Sequence, residues 1–386
     1  MTSANKNLRA VFFVGFLLTI ALSITGYIDS SFVGMYSDIK KVGILFSIGS
    51  IVSILMLSYS PKIISKIGVS GIFYTNATLY LSSILIMLAT QNNIIFELFF
   101  IIYLASGIGI YYAIDVLIEH FSKKETTGNT RGFYLAIYNL AFLIGPLLAG
   151  IILKNNGFDI AYLMAGVFII LMTILYTRDL EKFDFKGEYR QTSFWKSFLK
   201  LTKNKNLFKV YLLSLSLTFF FSWMSIYTPI YLNQYIGFNW TQIGIIFALM
   251  HIPYVTLEIP IGKISDKLHC EKELIAIGLL IIGVSTAFMS KIISLNLLPW
   301  VLILIATRTG ASLVQVGTES YFFKKVTEKD AGIIAVFRNA APVAYIIGPA
   351  LGTIFLQMVS YQNLFIILGT IMILSMLITF KMKNTK

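Results

Sequence analysis

Charged residues are scarce in this sequence. Only 13% of its 386 residues are Asp, Glu, Lys or Arg, where a soluble domain carries about 25%. An ordinary water-soluble globule is therefore excluded. Cysteine is scarcer still. Cys270 stands alone, so no intramolecular disulfide and no thiolate metal cluster can form, and Cys270 is read as a bystander in a loop. There are three histidines. No His-rich or paired-acid pattern, no Walker-type Gly-rich loop and no metal-ligand spacing appears. No cofactor, metal or enzymatic chemistry is expected. Acids are outnumbered, 18 against 31 Lys and Arg, for a net charge of +13. In a soluble protein that excess would point to nucleic acid. Here the basic residues lie between long apolar runs and report membrane topology instead, so nucleic acid is not an expected partner.

Apolar residues make up 57% of the chain, in runs long enough to cross the hydrocarbon core. Backbone polar groups in lipid must be satisfied within the segment, so these runs are read as helices. Twelve spans are expected, at roughly 10–33, 42–60, 72–90, 94–118, 133–153, 160–177, 208–232, 241–261, 274–293, 297–320, 332–356 and 363–380. The first run is read as span 1 and not as a cleavable leader. With the N-terminus inside, the inner segments carry about 25 Lys and Arg and the outer ones about four. That asymmetry places both termini in the cytoplasm. The Ile/Lys/Asn-rich composition suggests a bacterial chain and its cytoplasmic (inner) membrane. Asn239-Trp-Thr241 fits a glycosylation acceptor but is too short to carry weight. Residues 178–207 are polar and mixed in charge, with Trp195, Phe198 and Leu201 at helical spacing. They are read as a linker whose amphipathic helix lies on the membrane surface. The chain then divides into a six-helix bundle at 1–177, the linker, and a second bundle at 208–386.

The two bundles repeat. Pro61-Lys-Ile-Ile-Ser-Lys66-Ile-Gly68 follows span 2, and Gly262-Lys-Ile-Ser-Asp266-Lys267-Leu-His269 follows span 8, about 201 residues later. Lys123-Lys124 and Lys324-Lys325 recur at the same offset. Ala105-Ser-Gly-Ile-Gly109 aligns with Ala306-Thr-Arg-Thr-Gly310. Gly145-Pro146-Leu-Leu-Ala-Gly150 in span 5 aligns with Gly348-Pro349-Ala-Leu-Gly352 in span 11. An offset of six spans gives both halves one orientation, the parallel-repeat arrangement of many transporters.

On these landmarks the chain resembles the major facilitator superfamily over essentially its full length. That family's loop motif reads Gly-x-x-x-Asp-Arg/Lys-x-Gly-Arg/Lys. The second copy matches at Gly262, Asp266 and Lys267, with His269 in place of glycine. The first copy is degenerate, with Pro61 for glycine and Ser65 for the acid. The resemblance implies an all-α membrane fold of two pseudo-symmetric six-helix bundles. It implies a secondary transporter of a small solute working by alternating access, with a monomer in the bilayer as the default. The Gly-Pro motif of span 5 is similar to one found in the family's exporters, though Ala141 and Ala149 occupy two of its glycine positions. This favours proton-coupled efflux of an amphipathic compound. Uptake of a sugar, nucleoside or metabolite anion is the alternative. A non-transporting sensor or a lipid-modifying enzyme is the reading from another class.

Ionisable groups inside spans are costly, at least about 2.5–3.5 kcal/mol near the centre, so each needs an account. Arg308 falls near the middle of span 10. It is either a substrate contact or half of a buried ion pair. His251 and Glu258 lie two turns apart in span 8 and form a candidate proton path, because histidine titrates near neutrality and an apolar site disfavours an ionised carboxyl. The alternative pairs Glu258 with Arg338. Asp29, late in span 1, either meets a cationic substrate or a proton at the outer mouth or is a solvated helix end. Trp223 and Tyr227 share a face of span 7 and, with Tyr111 in span 4, are candidate lining residues or simple packing. Asp115, Glu119 and Glu319 lie near inner helix ends. They are expected to pair with Lys66, Lys267 or neighbouring basic residues as a conformational latch, with Arg338 in the same network. The sole thiol tests the topology. Cys270 is expected to react with a membrane-impermeant maleimide only after cells are permeabilised, and labelling of intact cells would invert the orientation.

Overall fold

The computed structural model describes residues 3–38, 41–121, 127–184, 194–326 and 331–383. Every regular element among them is helical. Span 1 forms α1 (Ser3–Gly26) and α2 (Asp29–Tyr36). Spans 2 and 3 share α3 (Val42–Ala89), and spans 4 to 6 are α4 (Asn93–Phe121), α5 (Thr127–Asn155) and α6 (Phe158–Asp179). The linker holds α7 (Phe194–Lys203). Then follow α8 (Lys205–Ile230), α9 (Trp240–Leu249), α10 (Ile252–Leu268), α11 (Glu271–Met289), α12 (Leu297–Lys325), α13 (Ala331–Arg338), α14 (Ala340–Leu356) and α15 (Asn363–Phe380). Twelve segments are long and apolar enough to cross a membrane. Large apolar side chains such as Leu85, Ile174, Ile277 and Leu374 project outward from them, as a lipid environment requires.

The helices cluster into two compact units, Met1–Arg190 with Asn239–Ala248, and Gln191–Phe238 with Leu249–Lys386. In the first, α1 packs on α4, α5 and α6, and α3 packs on α4 and α6. In the second, α8 packs on α12, α14 and α15, α11 packs on α12 and α15, and α10 on α12. The packing of α1 on α4, α5 and α6 thus has its counterpart, one repeat later, in that of α8 on α12, α14 and α15. Lipid tails give helices no hydrophobic reason to associate, so close backbone approach has to supply it. At Gly278 and Gly310, a Cβ on either would lie 2.6 Å from the other's carbonyl oxygen.

Besides the break of span 1 between α1 and α2, three places depart from the expected helices. Span 8 is interrupted: α9 ends at Leu249 and α10 starts at Ile252, with His251 at its N-cap and Pro253 in its first turn. Proline is favoured in that first turn, where its missing N–H costs nothing. Span 11 likewise splits after Arg338. In the linker helix the Trp195 side chain lies outside the described residues, and Phe198 and Leu201 turn toward the second unit. Leu201 is fully buried, and the Phe198 ring sits 6.4 Å from Phe208 and 6.3 Å from Tyr211. That face is occupied by the second unit's own α8, and α7 also packs on α13.

The repeated loop motif ends each time in a left-handed residue. Gly68 has φ 76°, and its counterpart His269 has φ 50°. Glycine accepts this region freely, whereas other residues pay about 1–2 kcal/mol, with His among those that tolerate it better. At Gly68 a Cβ would also strike the Asp184 carboxylate, whose Oδ1 accepts from the Ser70 N–H at 2.9 Å. His269→Gly is expected to raise thermal stability by about 1 kcal/mol, and Gly68→Ala to lower it by more than that, both readable from melting midpoints.

Candidate functional site

The second unit holds a buried cation that no acid among the described residues answers. Arg308 projects from the middle of α12 and is 3% exposed. Its guanidinium carbon lies 5.4 Å from the ring centres of both Phe220 and Phe221 on α8. These rings supply cation–π attraction but no hydrogen-bond acceptor. Nε and Nη1 are buried and bond to no acceptor, and no carboxylate lies within salt-bridge distance among the described residues. The ion-pair reading of Arg308 is therefore not what the structure shows. Tyr345 on α14 is within electrostatic reach of the guanidinium, and its hydroxyl is 3.5 Å from that of Ser225. Phe221 stands 6.4 Å from Tyr254 on α10, which lies 6.1 Å from His251. Helices α8, α10, α12 and α14 thus bring an arginine, a histidine, two tyrosines and two phenylalanines into one neighbourhood.

Glu258 lies on α10 with Oε1 buried and without a hydrogen-bond partner. Its expected alternative partner is taken. Arg338 grips Glu319 through two bonds, 2.5 and 3.1 Å long, the bidentate geometry in which arginine binds carboxylates best. His251 and Glu258 are about 10 Å apart along the helix, at about 1.5 Å per residue. They do not touch, and a direct proton transfer between them is ruled out in this arrangement.

Trp223 and Tyr227 do not line open space. Each is 1% exposed. Trp223 Nε1 donates to the Gly348 carbonyl at 2.5 Å, and the Tyr227 hydroxyl to the Pro349 carbonyl at 2.7 Å. Both donors are spent on the Gly-Pro segment of α14, so the structure gives these residues a helix-clamping role. Gly348 leaves space for Ser222, whose Cβ would be 3.3 Å from an added methyl. The first unit repeats the device. Gly145 faces Ser23 of α1, and an added Cβ would be 2.5 Å from that of Ser23. The Ser23 hydroxyl bonds to the Ala141 carbonyl at 3.0 Å. Gly150 lies against Trp240 and Gly244, and its carbonyl accepts from Thr241 at 2.9 Å.

Asp29 is not a solvated helix end. It is 4% exposed, because α2 starts at this residue inside the packed bundle. Its Oδ1 accepts from the Tyr162 hydroxyl and lies 3.4 Å from that of Tyr103. Tyr103 in turn reaches Thr25 at 2.6 Å and is met by Tyr80 at 3.2 Å. Phenol donors replace a countercharge, and no salt bridge to Asp29 occurs among the described residues. Tyr111 is half-buried and meets Tyr138 edge-on at 6.1 Å.

Of the expected latch, Lys66 and Lys267 are exposed and Asp115 is half-buried. The side chains of Glu119 and Asp266 lie outside the described residues. A Cβ at Gly262 would meet nothing within 4 Å. Sequence reasoning missed the pair that is most buried. Glu271 is fully buried and binds Lys324 at 2.6 Å, with Ser265 at 3.3 Å. Its position in the first turn of α11, where an acid suits the helix dipole, was the available signal. The tyrosines around Asp29 were missed as well, although a hydroxyl in an apolar span always needs a partner.

A sequence description of the Major Facilitator Superfamily matches residues 8–341 and 229–385. The chain belongs to this superfamily. It is 24% identical over 238 residues to the uncharacterized MFS-type transporter MJ1560 of Methanocaldococcus jannaschii, covering 59% of each chain. It is 22% identical over 283 residues to the MFS-type transporter SLC18B1 of Mus musculus, covering 70% of this chain and 60% of that protein. The matches thus span 59% and 60% of the length of these relatives. Among solved structures, a POT family transporter in complex with 5-aminolevulinic acid superposes with a TM-score of 0.79 at 14% identity, over 97% of this chain and 95% of that one. A POT family transporter holding a thioalcohol-conjugated peptide gives 0.77 at 14% identity, with the same coverage. At that identity the likeness establishes the fold.

The glycine contacts give a graded expectation. Gly145→Ala and Gly348→Ala should each destabilise by about 1–3 kcal/mol through overpacking. Gly262→Ala, which meets open space inside a helix, should be neutral or stabilising by up to about 1 kcal/mol. Equal melting midpoints for all three would contradict the assigned contacts.

Proposed function

We propose that this protein is a secondary active transporter that moves a small amphipathic organic solute bearing an anionic group, coupled to protons, by alternating access. The observation that carries this reading is Arg308. A buried guanidinium whose Nε and Nη1 bond to no described acceptor, beside two aromatic rings, matches a carboxylate or similar oxyanion attached to an apolar body. Glu258 is the proposed protonation site, since its half-buried carboxyl has a buried Oε1 without a hydrogen-bond partner and no cation in salt-bridge range among the described residues. Tyr254, one turn before Glu258 on α10, stands beside Phe221. Asp29 offers a second buried carboxyl in the other unit. The Gly-Pro motif of α5 supports export as the direction. Uptake of a metabolite anion would use the same arginine and is the second reading. Lys66, Asp115, Glu119, Asp266 and Lys267 remain the proposed conformational latch at the inner helix ends, in a bacterial inner membrane with both termini cytoplasmic.

The test is transport into proteoliposomes under an imposed pH gradient, with a panel of aromatic and aliphatic organic anions. Wild type should move at least one class. Arg308→Ala should weaken its apparent affinity about ten- to hundredfold, the worth of a charged hydrogen-bonded contact. Arg308→Lys should recover only part, because the planar fork is lost. Glu258→Gln should still exchange solute across the membrane but no longer respond to the gradient. Gradient-driven transport by Glu258→Gln at the wild-type rate would remove Glu258 from the coupling, and no movement of any anion by wild type would remove the reading itself.

A further inference from the structure

The two copies of the loop motif hold the bend that follows them in different ways. The repeat offset of about 201 residues pairs Gly68 with His269 and Ser70 with Glu271. In the second unit the left-handed His269 closes α10, and α11 starts two residues later at Glu271. That carboxylate belongs to the helix it opens. It is fully buried, binds Lys324 at 2.6 Å and accepts from the Ser265 hydroxyl at 3.3 Å. In the first unit the same position is a serine. There α3 breaks at Gly68, with φ 76° and ψ 174°, and its helical course resumes at Val69. The first N–H groups of a helix lack partners within it, and an acid at that end also suits the helix dipole.

The carboxylate for this bend arrives from a distant part of the chain. Beyond α6 a short 3-10 turn (Glu181–Phe183) leads to Asp184. Asp184 Oδ1 accepts from the Ser70 N–H at 2.9 Å. The carboxylate lies over Gly68, where an added Cβ would be 2.7 Å from its Cγ. Neighbouring contacts bring the two segments together. The Ser70 hydroxyl bonds to that of Tyr176 at 2.9 Å, Phe73 stacks on Tyr176 at 3.8 Å, and the Tyr74 hydroxyl meets that of Thr177 at 2.8 Å. Phe183 packs edge-on against Phe121, the last residue of α4, at 5.3 Å. Unlike Glu271, Asp184 is exposed and lies outside any helix. It stands at the start of the linker, whose later helix α7 is docked on α8 and α13.

We infer that Asp184 is a releasable clasp, a linker carboxylate that fixes the bend between spans 2 and 3 and lets go of it when the linker lifts. The matching bend of the second unit is locked, because Glu271 cannot leave without unwinding α11. When Asp184 departs, the Ser70 N–H loses its acceptor and the backbone at Gly68 is uncovered. Linker position and bend geometry are therefore one equilibrium, and whatever shifts either shifts both. The clasp does not rest on the proposed solute and coupling residues.

Hydrogen exchange of the full-length protein in detergent micelles, read peptide by peptide, tests this. Asp184→Ala should speed exchange at residues 69–72 by about ten- to hundredfold, the worth of one hydrogen bond to a charged group, and leave residues 271–274 unchanged. Asp184→Asn keeps an acceptor oxygen and should fall between the two. Phe183→Ala tests the coupling itself. It removes linker packing on Phe121 and leaves the Asp184 carboxylate in place, so exchange at residues 69–72 should still rise, by at least about threefold. A smaller rise would make Asp184 a local cap and overturn the clasp. Asp179→Ala removes a nearby acid paired with Arg178 and should leave the bend unchanged; a rise equal to that of Asp184→Ala overturns the assignment. So does unchanged exchange at residues 69–72 in Asp184→Ala, or a rise of the same size throughout α1 to α6.

Discussion

A charge inside hydrocarbon persists only where something answers it, and the interior of this protein is organised around that constraint. Glu271 is answered by Lys324, and Asp29 by a cluster of phenols. The chain therefore has more than one means to satisfy buried charge. Against that background, Arg308 and Glu258 stand out as the groups left open. Isolated ions in a low-dielectric site are destabilising by several kcal/mol. The proposed function assigns both to a partner that arrives and leaves.

The second unit connects this open charge to its helix packing through α8. Phe220 and Phe221 flank Arg308, and within two turns of the same helix Trp223 and Tyr227 hold the carbonyls of Gly348 and Pro349. A shift of α8 would be felt at both the guanidinium and the Gly-Pro segment of α14. The first unit carries the same Ser-on-Gly contact between α1 and α5 without the arginine. Its counterpart position in α4 is Gly107. The repeat supplies the scaffold twice, and the chemistry differs between the copies.

Much of the fold was legible because its signals are additive along the chain. Twelve apolar runs, alternating basic loops and four ordered repeat landmarks each point to the same architecture, and the superfamily match agrees. The breaks were less legible. His251-Ile-Pro253 reads as the interior of a span, and only three-dimensional packing separates α9 from α10. The site was legible as residue types but not as pairings. Arg308, Glu258 and Arg338 all appeared significant, yet sequence alone could not show that Arg338 is consumed by Glu319. The linker helix illustrates the same limit. Its amphipathic spacing was plain, but whether Phe198 and Leu201 meet lipid or protein depends on distant segments. Trp223 and Tyr227 share a face as expected, and that face meets a helix instead of a cavity.

The proposed function depends most on Arg308 as the residue that binds an oxyanion. The most direct measurement is a thermal-stability screen of the purified protein against organic anions, comparing wild type with Arg308→Ala. Ligand bound to the folded state raises the midpoint by mass action, so weak binders at high concentration register. The account predicts a class of anion that stabilises wild type and leaves the variant unmoved. A class that stabilises both proteins equally would contradict it and make Arg308 a structural residue.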